Sequence, residues 1–134
     1  MNADKRRCPD SLTDAVIGAI LEVSNVLGVG FLEKVYQRAL LKELSLRGVR
    51  VTAEVPLTVY YKGDSVGEYY ADIVAEDVLI IELKCAEHLA DEHMAQCLNY
   101  LRGSGYSVCL LVNFQRRKAE WRRIVYGHEP TETS

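Results

Sequence analysis

Three observations predict an α/β fold for this 134-residue chain. Residues 51–61 alternate apolar and polar side chains with period two, as a strand with one solvated face does. Residues 11–27 and 31–47 instead repeat apolar side chains at helical spacing. A third helical stretch then separates two apolar runs, the pattern of a strand–helix–strand crossover. With 49% hydrophobic and 26% charged residues, the composition is that of an ordinary globular domain. A chain of this length can bury one sizeable core but not a second. Residues 11–127 are assigned to that single domain, residues 1–10 to a mobile N-terminal segment and residues 128–134 to a loose tail.

The elements follow in order. In the first helix, Ser11 is the expected N-cap, with Asp14 three residues on, and Leu12, Val16, Ile20, Val23 and Leu27 form the apolar stripe. Gly28 and Gly30 break it. The second helix is expected to close on Gly48 as a left-handed terminating residue. On the first strand, Val51, Ala53, Val55, Leu57, Val59 and Tyr61 should share one face, and Pro56 argues for a sheet edge. The run KGDS at 62–65 is a hairpin turn, followed by strands at about 66–74 and 78–84. Residues 88–101 form the third helix, with Met94, Cys97, Leu98 and Leu101 facing inward and Gly103 ending it. Residues 106–114 contain VCLLV, a run expected of a central strand, parallel to the one carrying Glu82. Residues 121–126 are the last strand.

Composition narrows the function. No apolar run is long enough to span a bilayer, and the basic N-terminus lacks the apolar stretch of a secretory signal, so a cytoplasmic protein without membrane contact is expected. The four cysteines have no CxxC pair, and Cys85, His88, His93 and Cys97 match no standard metal-site spacing, so they are expected to be core thiols and ordinary histidines. A net charge of −3 gives no global attraction to nucleic acid. The basic residues are nonetheless uneven. Arg116, Arg117, Lys118, Arg122 and Arg123 surround Trp121 and form a candidate phosphate-tracking patch, to which Lys5, Arg6 and Arg7 could add.

The chemistry-bearing residues lie in EYYADIVAEDVLIIELKC. Glu82 and Lys84 stand two apart on a strand and therefore share a face. Such charges at the end of an apolar strand are costly without a partner or a metal. Asp72 on the preceding strand could complete a cation site, leaving the lysine to face a scissile phosphate and a water; metal-assisted phosphodiester hydrolysis needs that set. Register decides whether they meet. A two-residue turn at Glu76 and Asp77 would pair Asp72 with Ile81 and send it to the opposite face. An odd turn, such as Ala75 to Asp77 pairing Asp72 with Ile80, or a bulge, unites all three. On the second helix, Glu33 falls between Leu40 and Leu44, either as a boundary residue reaching water or as a third acid turned to the site. Without metal such acids repel one another, so at least one should have a raised pKa. Gln96 and Tyr100, one turn apart, are either a solvated face or a polar face turned to the acids.

With these pieces in place the chain resembles the GxxExxY proteins of the PD-(D/E)XK nuclease superfamily. The naming motif stands as Gly30, Glu33 and Tyr36, preceded by Gly28. The superfamily core stands as Asp72, then Glu82-Leu83-Lys84, then Gln96 and Tyr100 in the place of its QxxxY helix motif. The resemblance implies a restriction-endonuclease-like αβββαβ core, with a mixed central sheet flanked by helices. It implies that Asp72 and Glu82 ligate Mg²⁺ or Mn²⁺ with the Leu83 carbonyl, that Glu33 approaches the metal or its waters, that Lys84 activates water, and that Gln96 and Tyr100 position the phosphate or brace the lysine. The expected function is a divalent-metal-dependent nuclease, with DNA favoured over RNA. The alternative is a non-catalytic nucleic-acid- or protein-binding module that retains the nuclease fold. A structural subunit with a partner protein is a third class, and a homodimer would let a second copy help grip two strands.

Overall fold

The computed structural model describes residues 7–126. Lys5, Arg6 and the tail at 128–134 lie outside the described residues. The elements run α1 (Asp10–Leu27), α2 (Glu33–Leu46), β1 (Val51–Tyr61), β2 (Asp64–Ala75), β3 (Leu79–Lys84), α3 (Asp91–Ser104), β4 (Val108–Asn113) and β5 (Glu120–Val125). One five-stranded sheet has the order β1-β2-β3-β4-β5. It is mixed: β3 and β4 are parallel across the α3 crossover, and the other neighbours are antiparallel. The fold is thus α/β, as expected, with Pro56 on the edge strand β1, where a missing N–H costs no ladder bond. No described helix is long and apolar enough to cross a membrane.

Two apolar layers sandwich the sheet. Val16, Ile20, Tyr36, Leu40 and Leu44 from α1 and α2 pack on Ile73, Leu79, Ile81, Leu110 and Val112. On the opposite face Cys97, Tyr100 and Leu101 of α3 pack on Leu57, Ile80, Cys109 and Leu111. Every residue of β4 is buried, as its unbroken apolar run requires of a strand covered on both sides.

Local signals explain most boundaries and correct several expectations. Helix α1 starts one residue early: Pro9 occupies the cap position and its carbonyl accepts the N–H groups of Leu12 (3.1 Å) and Thr13 (3.3 Å). Ser11 therefore lies inside the first turn and caps nothing. Helix α2 ends as expected, with Gly48 at φ 79° and the Val49 N–H reaching back to the Leu44 carbonyl at 3.0 Å. Helix α3 runs through Gly103 and stops at Gly105, whose φ of 84° is left-handed; the earlier glycine is not its terminator. The hairpin turn between β1 and β2 comprises only Lys62 and Gly63, both at positive φ, so Asp64 already pairs with Tyr61.

The largest departure is in β1. Its apolar residues do not keep one face: Val51 packs on the α1–α2 side, whereas Val55 and Leu57 pack on the α3 side. Glu54, at φ 56°, is the cause, because a left-handed residue resets the strand's alternation. Glu54 forms an ion pair with Lys34 at the start of α2. Strand β2 makes the same switch across Asp72, with Ala71 on the α3 side and Ile73 on the other.

Candidate active site

The β2–β3 hairpin closes on the pair Ala75–Leu79, so its loop is Glu76, Asp77 and Val78. This is an odd loop, displaced by one residue from the expected one. Glu76 and Asp77 have φ of 52° and 58°, and Arg50 holds them by ion pairs at 3.2 and 3.4 Å. The ladder pairs Ile73 with Ile81 and then stops; one step further, the register sets Asp72 opposite Glu82.

Side chains take over the backbone's hydrogen bonds at that break. The Asp72 N–H donates to Glu82 Oε1 at 2.9 Å, and the Leu83 N–H donates to Asp72 Oδ2 at 2.8 Å. Gln37 Nε2, from α2, donates to the Asp72 carbonyl at 2.9 Å. The two acids thus cross-link the strands where the ladder fails, and the backbone N–H groups of Asp72 and Leu83 stay satisfied. Their second oxygens, Asp72 Oδ1 and Glu82 Oε2, accept no hydrogen bond among the described residues. A strand residue directs its N–H and C=O to the same edge, so the Leu83 carbonyl faces the same gap.

Electrostatics at the gap favour a cation. Glu82 is only 4% exposed. Burial, and then the charge of Asp72, push its carboxyl up to about 8. Burial also raises Asp72, against the opposing effects of the Leu83 N–H and the Lys84 ammonium. Lys84 shares the α3 side with Glu82, and its Nζ donates to Gln96 Oε1 at 3.2 Å. Tyr100, one turn along α3, is buried with its ring 5.5 Å from that of Tyr69. Burial and the neighbouring Glu82 hold its phenol well above the usual range.

Glu33 begins α2 on the other side of the gap. With Lys34, Gln37, Asp72 and Leu83 it lines a cavity of about 90 Å³. Leu40 and Leu44, which flank it on the helical wheel, are fully buried against the sheet. Tyr36 explains why the preceding glycines matter. Its hydroxyl donates to the Gly28 carbonyl at 2.6 Å and accepts the Phe31 N–H at 3.3 Å, and its ring stacks on Phe114 at 4.7 Å. Gly28 and Gly30, at φ 70° and 108°, let the chain double back to this hydroxyl.

The basic residues do not form one patch. Arg122 and Arg123 are neighbours on β5 and so point to opposite faces. Arg123 lines a cavity with Asp10 and Asp14 on the α1 side, while Arg122 lies 3.7 Å from Glu120. Arg116, Arg117 and Lys118 are exposed in the loop after β4, at the sheet end where Lys84 pairs with Asn113. Arg116 there donates to the Glu87 carbonyl at 3.0 Å. The Cys/His residues also diverge: Cys97 packs on Cys109, His93 Nδ1 accepts the Ala90 N–H, and Cys85 faces the Phe31 carbonyl.

Sequence reasoning missed Gln37, Lys34, Glu54 and Asn113. Gln37 stands one turn after Glu33, a polar residue on a buried stripe, and that spacing was its signal. Asn113 ends an apolar run and is fully buried; its Oδ1 accepts from Ala86 N–H at 3.1 Å and its Nδ2 donates to the Ala86 carbonyl at 2.8 Å, clamping the loop after Lys84. Glu54 carried no signal, since it stands in a run that alternates as an ordinary strand does.

Residues 10–124 match the PD-(D/E)XK nuclease superfamily. The chain belongs to that superfamily. Solved structures with the same fold include the crystal structure of SSO0001, at TM-score 0.56 and 16% identity over 90% of this chain. Another is an alkaline exonuclease (LHK-Exo) from Laribacter hongkongensis, at TM-score 0.51 and 16% identity, covering 92% of this chain and 74% of that one. The chain spans 60% of the length of SSO0001. No curated protein matches it in sequence.

Superfamily members generally use divalent metals, and the donor set here suits one. Among the described residues no group of three or more His, Cys, Asp or Glu side chains forms a metal cluster. Two carboxylates, each with an oxygen that accepts no hydrogen bond among the described residues, nevertheless suit a hard divalent cation that keeps several of its waters.

Proposed function

We propose that this chain is a nuclease that hydrolyses phosphodiester bonds, with DNA as substrate and Mg²⁺ or Mn²⁺ as cofactor, and that it belongs to the GxxExxY group of its superfamily. The observation that carries the reading is the break in the β2–β3 ladder. There two acids with raised pKa values face each other, each with a free oxygen, and a lysine stands beside them. A structural neighbour named as an alkaline exonuclease supports the same chemistry. Gly30, Glu33 and Tyr36 support the narrower assignment, since the tyrosine anchors the glycine turn that brings Glu33 to the acids.

Asp72, Glu82 and the Leu83 carbonyl would hold the cation, and Glu33, lining the same cavity as Asp72 and Leu83, would approach it through water. The bound ion supplies Lewis acidity to the scissile phosphate and lowers the pKa of an attacking water. Lys84 orients that water and offsets the charge that grows on the phosphate oxygens. Gln96 keeps the ammonium directed at the gap rather than at solvent. Tyr100 closes the site from the α3 side and excludes water from Glu82. Arg116, Arg117 and Lys118 take the flanking phosphates, being on the same end of the sheet as Lys84.

Incubating the protein with Mn²⁺ or Mg²⁺ and single- and double-stranded DNA and RNA tests the reading. We expect metal-dependent cleavage of DNA that Lys84→Ala slows on the order of a hundredfold. A wild-type protein inert on all four substrates, yet binding nucleic acid or another protein, would return the chain to the class of non-catalytic modules.

A further inference from the structure

A second and larger cavity lies on the α3 side of the sheet, beside Gln96 and Tyr100. Beyond Asp72, β1 and β2 continue as a hairpin arm with no further strand beside β2 among the described residues, and α3 lies alongside the arm. The cleft between them encloses about 610 Å³, against about 90 Å³ beside Asp72. That volume lies within the ~300–1,000 Å³ range of small-ligand clefts.

Its walls are chemically distinctive. Tyr69 pairs across the arm with Leu57, so both face α3, and its ring lies 5.5 Å from that of Tyr100. Tyr60 adds a third ring to the same cleft. Tyr60 and Tyr69 are 67% and 47% exposed, so the fold leaves their faces uncovered. Opposite them α3 offers Gln96, Asn99 and Tyr100, which helical spacing places on one side. One cation, Arg102, and one acid, Glu92, also line the cleft, so charge does not select its occupant. Rings do.

The cleft is continuous with the proposed active site, because Gln96 both lines it and holds the Lys84 ammonium. We propose that it is a base-stacking subsite for single-stranded nucleic acid: an unpaired base beside the scissile phosphate lies against Tyr69 and Tyr60 while that phosphate reaches Lys84. Inside a duplex each base face is covered by its neighbours, so only an unpaired base can offer one to a tyrosine. Every base has such a face, so the subsite is tolerant of sequence. Its choice is between strand states. This inference deepens the nuclease reading and takes from it the position of the phosphate.

The test is binding, measured in Ca²⁺ and again in EDTA so that no turnover is required. Fluorescence anisotropy with labelled single-stranded DNA and RNA of about ten nucleotides, and with a blunt duplex of equal length, reads the affinity. Tyr69→Ala should weaken single-strand binding about tenfold or more, Tyr60→Ala should weaken it in the same direction, and Tyr69→Phe and Tyr69→Trp should stay within a few-fold of wild type. The duplex should bind more weakly and respond to none of these changes. Single-strand affinity unmoved by both alanine variants, or a duplex that binds as well as the single strand, overturns the subsite. Should Tyr69→Ala fail to fold, the more exposed Tyr60 and the Phe and Trp variants still decide. A protein that binds single strands through Tyr69 but cleaves nothing defeats the nuclease reading alone; an active nuclease indifferent to Tyr69 and Tyr60 defeats the subsite alone.

Discussion

Strand β2 runs through two environments. From Ile73 to Ala75 it is hydrogen-bonded on both sides and buried; before Asp72 it is paired only with β1, and Tyr69 and Tyr70 are about half exposed. Asp72 is the junction. The inner half is stiff because its neighbours leave it no alternative conformation, so it can keep carboxylates out of water against their preference. The outer half has β1 on one edge and α3 across one face, and it presents rings to the cleft between them. One strand thereby separates the holding of charge from the presentation of surface, and the two tasks meet at a residue that belongs to neither regular ladder.

The contrast can be broken most severely at the junction. Asp72→Ala should abolish both metal binding, read by calorimetry, and turnover, by over a thousandfold, because one remaining carboxylate holds Mg²⁺ poorly. Retained Mg²⁺ affinity in that variant would show that the acids are not the site. In the inner half, Ile81→Ala should cost about 2–5 kcal/mol in urea unfolding, as removal of a fully buried side chain from a packed layer does. Lys84→Ala should lower turnover on the order of a hundredfold while Ca²⁺ affinity stays within a few-fold, since the ammonium is not a ligand.

A smaller effect should appear in the pH dependence of stability. Burial and the Asp72 charge push the Glu82 carboxyl up to about 8 in the fold, from an ordinary 4.5, so between those values the folded state holds the extra proton. Metal-free protein should therefore lose stability as pH rises from about 5 to 8, on the order of 2 kcal/mol, and Glu82→Gln should flatten that slope. Added Mg²⁺, taking the proton's place, should raise Tm more at pH 8 than at pH 5.5. A slope of the opposite sign would mean that Glu82 is ionised and already paired. The smallest change belongs to the outer half: Val66→Ala, at a side chain that is 60% exposed, should alter stability by no more than about 0.5 kcal/mol. A loss there equal to that of Ile81→Ala would erase the contrast.

Much of this was legible in the residues. All eight elements stand in the expected order, and the parallel pairing of β3 with β4 followed from a helix lying between two apolar runs. The odd loop followed from requiring Asp72, Glu82 and Lys84 to meet. Other features were hidden for physical reasons. Period-two counting could not see Glu54 reset β1, because left-handed backbone is uncommon for a non-glycine residue and nothing in the alternation of the strand marks where it occurs. Proximity in sequence misled at Arg122 and Arg123, since adjacent strand residues are sent to opposite faces. Gly103 looked like a stop because a glycine permits termination, yet it does not compel it; Gly105 alone takes the left-handed turn.

The cross-bonding of Asp72 and Glu82 changes what those letters mean when they are met in another chain. Each acid closes a hole in the backbone ladder, so a descendant that gave up chemistry and kept this architecture would still be obliged to carry them, or something of equal reach. Lys84 has no such duty: among the described residues its side chain bonds only Gln96, and the main chain does without it. On the proposed function the carboxylates therefore serve scaffold and chemistry together, and the lysine serves chemistry alone.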